Sequence, residues 1–181
     1  MTAGPLEQLL LERSVRRGDF VLASGAHSSY YIDARPATMS AAGQLLIGRM
    51  GVEAIRKAGW RPRAIGGLTM GADPVAYAIA GASMTAGPAI DAFSVRKTPK
   101  DHGTGRRIEG NFSPGDAVVV VEDVLTSGGS ALQAVAAVEA EGATVLGVLS
   151  VVDREAGGRD RLEQAGYAVL ALTSVTKLGL G

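Results

Sequence analysis

Apolar positions along this chain recur with two different periods, and the alternation between them predicts most of the architecture. Leu6, Leu9, Leu10 and Val15 stand at helical spacing across residues 5–17, and Gly18-Asp19 ends that run. Residues 20–22 and 30–32 read as short β segments on either side of a turn at residues 24–27. Ser40 is placed to cap a helix that reaches about Lys57, with Leu45, Leu46, Met50 and Ile55 on its buried side and Gly59 as its stop. From Ala64 onward, strand and helix patterns alternate. Strands are predicted at residues 64–67, 89–95, 117–121, 143–152 and 167–172, and helices at 71–82, 130–141 and 159–165. Such alternation implies an α/β fold with a mainly parallel central sheet flanked by helices. The continuous β-branched run 117–121 suits a strand covered on both faces.

Residues 96–109 break the pattern, being polar, basic and glycine-containing with no apolar period. A loop of that length inside a compact domain points to function or disorder. It carries Arg96, Lys97 and Lys100 with His102, one of two histidines in the chain. Lys and Arg neutralise polyphosphate, and a hinged loop can close over a reacting site and exclude water.

The 181 residues suit one domain, and 18 basic residues balance 18 acidic ones. That balance argues against a protein whose partner is a nucleic acid held on a broad basic face. The absence of cysteine excludes disulfides and thiolate metal sites. Neither a signal-peptide layout nor an apolar run of membrane-spanning length is present, so the expectation is a soluble, cytoplasmic chain with no membrane partner.

The strongest chemical signal lies at residues 117–130. An apolar strand leads into Glu122 and Asp123, then Val124, Leu125, Thr126, Ser127, Gly128, Gly129 and Ser130, where a helix begins. Strand ends in α/β sheets face the ligand crevice. Glycines and a helix start offer main-chain amides to an anion, and Thr and Ser add hydroxyl donors. Two carboxylates repel phosphate but accept from sugar hydroxyls, so the combination reads as a grip on ribose 5-phosphate. The plainer reading, a capped helix with solvent-facing acids, does not account for two acids placed directly after a buried strand. No dinucleotide fingerprint or nucleotide P-loop is present.

These residues resemble the shared motif of the type I phosphoribosyltransferases. Arg96-Lys97-Thr98-Pro99-Lys100-Asp101-His102-Gly103 is similar to the catalytic loop of one branch, the orotate phosphoribosyltransferases. Residues 20–25 with Ser29-Tyr30-Tyr31-Ile32-Asp33 resemble that branch's N-terminal hood, and Gly66-Gly67-Leu68-Thr69-Met70-Gly71-Ala72 its pyrophosphate-cupping loop. Arg154 stands where the branch has an arginine for the carboxylate of orotate, a pairing that a planar guanidinium makes with two parallel hydrogen bonds. Ala23 stands where the family often has lysine.

The resemblance implies the type I phosphoribosyltransferase fold in one domain, residues 1–181, with a small hood segment at 1–39 and the core at 40–181. It implies transfer of ribose 5-phosphate from phosphoribosyl pyrophosphate (PRPP) to orotate, giving orotidine 5′-phosphate and pyrophosphate, a step of pyrimidine synthesis. Glu122 and Asp123 would hold the ribose hydroxyls, and residues 124–130 the 5-phosphate. Arg96, Lys97, Lys100 and His102 would bind the PRPP pyrophosphate, with Lys100, His102 and Asp123 catalytic. Tyr30, Tyr31, Thr126 and Arg154 would bind orotate. The cofactor implied is Mg²⁺, held mainly through PRPP and water rather than by protein ligands. A homodimer is implied, with loop 96–109 shared across its interface. Two alternatives stand beside this reading: a phosphoribosyltransferase for another nucleobase, which Ala23 keeps open, and a PRPP-sensing regulator on the same scaffold, which the neutral net charge disfavours.

Overall fold

The computed structural model describes residues 3–21, 25, 27–85, 87–98 and 107–181. Helix α1 (Pro5–Arg13) ends four residues earlier than its apolar spacing predicts. Val15 belongs instead to strand β1 (Val15–Val21), which pairs antiparallel with β2 (His27–Ile32). Val15 faces Ile32, and Arg16 and Arg17 face Tyr31 and Tyr30. Cross-strand pairing with an aromatic, β-branched partner has overridden a weak helical period here. A short helix α2 (Arg35–Thr38), unpredicted by the pattern, leads to Ser40, whose hydroxyl accepts from the Gly43 amide and caps α3 (Ala41–Lys57).

Of the residues predicted on the buried side of α3, Ile55 is buried and Leu46 and Met50 pack half-buried against the core, but Leu45 does not. Leu45 is 74% exposed, and the covered face is Gly43, Ile47, Gly48, Gly51, Val52 and Ile55. The reason is the partner helix α4 (Ala72–Ser83). A Cβ on Gly48 would fall on the Ala78 carbonyl and the Ala82 methyl, so only a small residue allows this close approach.

The main sheet has six strands in the order β5-β4-β3-β6-β7-β8: β3 (Ala64–Leu68), β4 (Asp91–Val95), β5 (Ile108–Gly110), β6 (Ala117–Leu125), β7 (Thr144–Asp153) and β8 (Val169–Ser174). All neighbours are parallel except the edge strand β5, which runs back against β4. β5 takes up part of the segment read as loop 96–109 from the sequence. Alternate residues of β6 serve two cores. Val119 and Val121 pack with α1, α3 and α4, whereas Val118 and Val120 pack with α5 (Gly129–Ala140) and with Leu162 of α6 (Gly158–Gln164).

Chain order runs outward in both directions from the centre: β3 to β4 on one side, β6 to β7 to β8 on the other. The strand order therefore reverses between β3 and β6, and a crevice opens beyond their C-terminal ends.

Candidate active site

At that reversal point lies a cavity of about 350 Å³ lined by the loop after β3 (Leu68 to Ala72), the end of β6 (Val121 to Asp123), the start of α5 (Ser130 and Ala131), Arg35 and Lys97. A larger hollow of about 670 Å³ around Trp60 is lined by Arg63, Ile90 and Ala117, beside the N-terminal ends of the strands, and holds no carboxylate. Topology and chemistry both favour the smaller one.

β6 does not stop before the two acids. It continues through them, pairing Glu122 with Ser150, Val124 with Val152 and Leu125 with Asp153 on β7. The carboxylates are thus held by a rigid ladder rather than by a loop. Burial, and then the adjacent Asp123 charge, push the Glu122 carboxyl up to about 7, against the opposing pull of a hydrogen bond from Ser130. Its Oε2 is buried with no hydrogen-bond partner, an acceptor waiting for a donor. Asp123 is also raised, chiefly by burial, although its Oδ1 accepts from the Val124 amide at 2.9 Å.

Beyond Leu125 the chain turns through Thr126 and Ser127 to Gly128, whose φ of 73° opens α5. No side chain caps this helix, so its first amides are left for an anion. Leu125 itself is 0% exposed and packs in the α5-side core. Its carbonyl accepts from the Arg154 amide at 2.9 Å. Its side chain therefore faces the core, which leaves its main chain for any contact with a ligand.

Arg35 is the cation that sequence reasoning missed. Its guanidinium holds Asp33 with two hydrogen bonds of 2.8 and 2.9 Å, and it lines the cavity beside Asp123. The paired charge lowers the Asp33 carboxyl. No pattern in the sequence marked it, and it becomes informative only once it is seen to line the crevice. Lys97 lines the same cavity, next to the acids of its own chain, and its carbonyl accepts from Gln133 Nε2 at 3.2 Å. Arg96 turns away to Glu109 at 3.1 Å, and its backbone joins Arg107 at the base of the loop. Lys100 and His102 lie outside the described residues, as does Ala23.

Tyr30 and Tyr31 separate, because successive strand residues face opposite ways. Tyr31 meets Phe20 at 5.8 Å between ring centroids, whereas the Tyr30 ring lies under the Arg154 guanidinium at 5.1 Å. Arg154 follows β7 directly and sits one strand over from Leu125. Its Nε is buried without a partner, and among the described residues its side chain joins no ion pair. A half-buried, unpaired guanidinium resting on a ring is suited to a planar anion.

The loop after β3 approaches the acids closely. A Cβ on Gly71 would lie 2.5 Å from Asp123 Oδ1. Gly71→Ala is therefore expected to displace the carboxylate and weaken PRPP binding about tenfold, with little change in thermal stability. Isothermal titration with PRPP checks this.

A doubly wound sheet with paired acids and an uncapped helix start at its reversal point defines a phosphoribosyltransferase of type I. The structure superposes on a phosphoribosyltransferase of Corynebacterium diphtheriae with a TM-score of 0.84 at 40% identity, covering 97% of this chain and 96% of that one. No family model matches the chain. The orotate phosphoribosyltransferase of Rhodopirellula baltica is 43% identical over 182 residues, 97% of this chain and 93% of the relative. That of Mycobacterium tuberculosis H37Rv, solved in complex with PRPP, has a TM-score of 0.82 at 42% identity, with 97% of each chain covered. The chain belongs to the orotate phosphoribosyltransferase family.

Proposed function

We infer that the chain transfers the 5-phosphoribosyl group of PRPP to orotate, releasing pyrophosphate and forming orotidine 5′-phosphate for pyrimidine synthesis. The observation that carries this reading is the juxtaposition of two half-buried acids at the crevice with an unpaired Arg154 on the neighbouring strand end. The acids accept from the ribose hydroxyls, and the amides and hydroxyls of residues 126–130 hold the 5-phosphate. Arg154 takes the orotate carboxylate, with Tyr30 beneath it. Thr126 borders the base.

The bond from C1 to the pyrophosphate oxygen breaks with charge building on the sugar, and an orotate ring nitrogen forms the new bond. The chain needs no nucleophile of its own. It aligns the reactants and stabilises the leaving pyrophosphate. Arg35 supplies positive charge at the cavity rim, and Lys97, which lines the cavity of its own chain here, serves the partner's site when the loop is exchanged. Arg96, Lys100 and His102 complete the pyrophosphate contacts.

Mg²⁺ fits this donor set as a companion of the substrate. The cation would be held mainly by pyrophosphate and ribose oxygens with water, where it neutralises the leaving group.

Among the described residues no helix is long and apolar enough to cross a membrane. We place the chain in the cytoplasm, as one domain with residues 1–39 as hood and 40–181 as core.

Incubation with orotate, PRPP and Mg²⁺ is expected to deplete the orotate absorbance. No decline at micromolar enzyme would overturn the reading, and turnover of another base alone would replace orotate by that base. We further read the chain as a homodimer that shares loop 96–109 between sites. Chains carrying Lys97→Ala and Asp123→Asn, each inactive alone, should regain activity in heterodimers, because one site then combines intact acids with an intact loop. Verified heterodimers without activity would place the loop over its own chain's site.

A further inference from the structure

Arg154 is flanked in sequence by two carboxylates, Asp153 and Glu155. Neither pairs with it, and the hydrogen bonds around them show where each is committed. Asp153, 3% exposed, accepts from the Glu155 amide through Oδ1 at 2.8 Å and from Arg159 Nε through Oδ2 at 2.9 Å. Arg159 is anchored in turn to the Val169 carbonyl at 2.8 Å. Glu155 takes the unusual φ of 54°, and its Oε2 accepts from the Thr176 hydroxyl at 2.6 Å and the Thr176 amide at 3.1 Å. The backbone between them is held on both sides, by Arg154 N to Leu125 O at 2.9 Å and Val175 N to Asp153 O at 3.0 Å.

We propose that Arg159 and Thr176 are positioning residues for orotate: they hold the Asp153 and Glu155 carboxylates away from Arg154, leaving its guanidinium unpaired for the carboxylate of the base. This rests on the assignment of Arg154 to orotate made above. The physical argument is competition. A carboxylate tethered one residue away has a high effective concentration, so an uncommitted Asp153 or Glu155 would contest Arg154 against a dissolved ligand. Arg159 and Thr176 stabilise the alternative partners. The backbone twist at Glu155 sends that side chain toward Thr176, a conformation uncommon for a residue with a Cβ and sustained here by its two hydrogen bonds.

The test is steady-state kinetics on Arg159→Met, with Thr176→Val as the second variant, since Arg159→Met leaves Asp153 buried without its cation and lowers stability. Each folded variant should show KM for orotate raised about tenfold, with KM for PRPP and kcat at saturating orotate little changed. Arg159→Lys should recover part of the loss. In an Arg154→Ala background the Arg159 and Thr176 substitutions should add almost nothing, because the group they protect is gone. That non-additivity separates positioning from general loosening of the fold. Unchanged orotate KM in both Arg159→Met and Thr176→Val, with Arg154→Ala strongly impaired, overturns this proposal alone. An Arg154→Ala enzyme with normal orotate KM overturns the assignment beneath it. Full additivity in the double variants assigns Arg159 and Thr176 to stability only.

Discussion

Asp123→Asn is expected to lower kcat/KM for PRPP by about two to three orders of magnitude with the fold intact. The substitution preserves shape but removes the charge from an acceptor of ribose hydroxyls. Two charge-assisted hydrogen bonds are together worth about 3–4 kcal/mol, which corresponds to that loss. The same variant has a second signature at Glu122. Burial and then the neighbouring Asp123 charge raise the Glu122 carboxyl to about 7. The free enzyme therefore holds Glu122 largely protonated at pH 6 and largely ionised at pH 8. The ionised form is the better acceptor, so PRPP affinity should rise as pH increases through 7, and binding should release protons. Removing the Asp123 charge should move this midpoint to lower pH. Titration calorimetry in buffers of different ionisation enthalpy measures both effects. Glu122→Gln should abolish the part of the pH dependence that belongs to the protein, separating it from ionisation of the substrate's own phosphates. A midpoint that stays in place in Asp123→Asn would show that the two carboxylates do not interact. The effect on folding has the opposite sense: a carboxyl raised in the folded state stabilises less as pH climbs from its ordinary range toward 7.

Arg154→Ala should raise KM for orotate by about a hundredfold and leave KM for PRPP within a few-fold. A bidentate pair between guanidinium and carboxylate contributes about 2–3 kcal/mol where water is partly excluded, and that contribution belongs to the base alone. The contact with Tyr30 makes the loss larger than for an exposed arginine, because the ring holds the guanidinium in one orientation before the ligand arrives. Competition between orotate and uracil gives the sharper measurement. The wild-type preference for the carboxylated base should collapse, and Arg154→Lys should restore little, since an ammonium lacks the planar fork. Equal loss for both bases would mean that Arg154 supports the strand end rather than recognising a carboxylate.

The two predictions draw on different kinds of information. Glu122, Asp123 and the Thr-Ser-Gly-Gly turn were legible because each step of the chemistry is local. A β-branched run makes a buried strand, a strand end points into the crevice, and glycine with a new helix exposes amides. Arg154 was singled out by resemblance, together with its place at the end of another strand. The alternation from Ala64 onward determined the parallel sheet for the same reason, since periods of two and three to four report what each segment buries.

What the sequence left open depends on partners distant along the chain. Whether Val15 joined a helix or a strand turned on Ile32, seventeen positions away. Which face of α3 was buried turned on α4, whose close approach rewards glycine and leaves Leu45 in solvent. Arg35 entered the site only because α2 brings it there, and Tyr30 and Tyr31 parted because a strand turns neighbours to opposite sides. The commitments of the two carboxylates beside Arg154 were decided by Arg159 and Thr176, which no local pattern connects to them. Local periodicity determined the elements and the chemical class of the site. Tertiary contacts decided which side chains of those elements are committed to one another and which are left for a substrate, because commitment is a competition among all the groups that folding brings within reach.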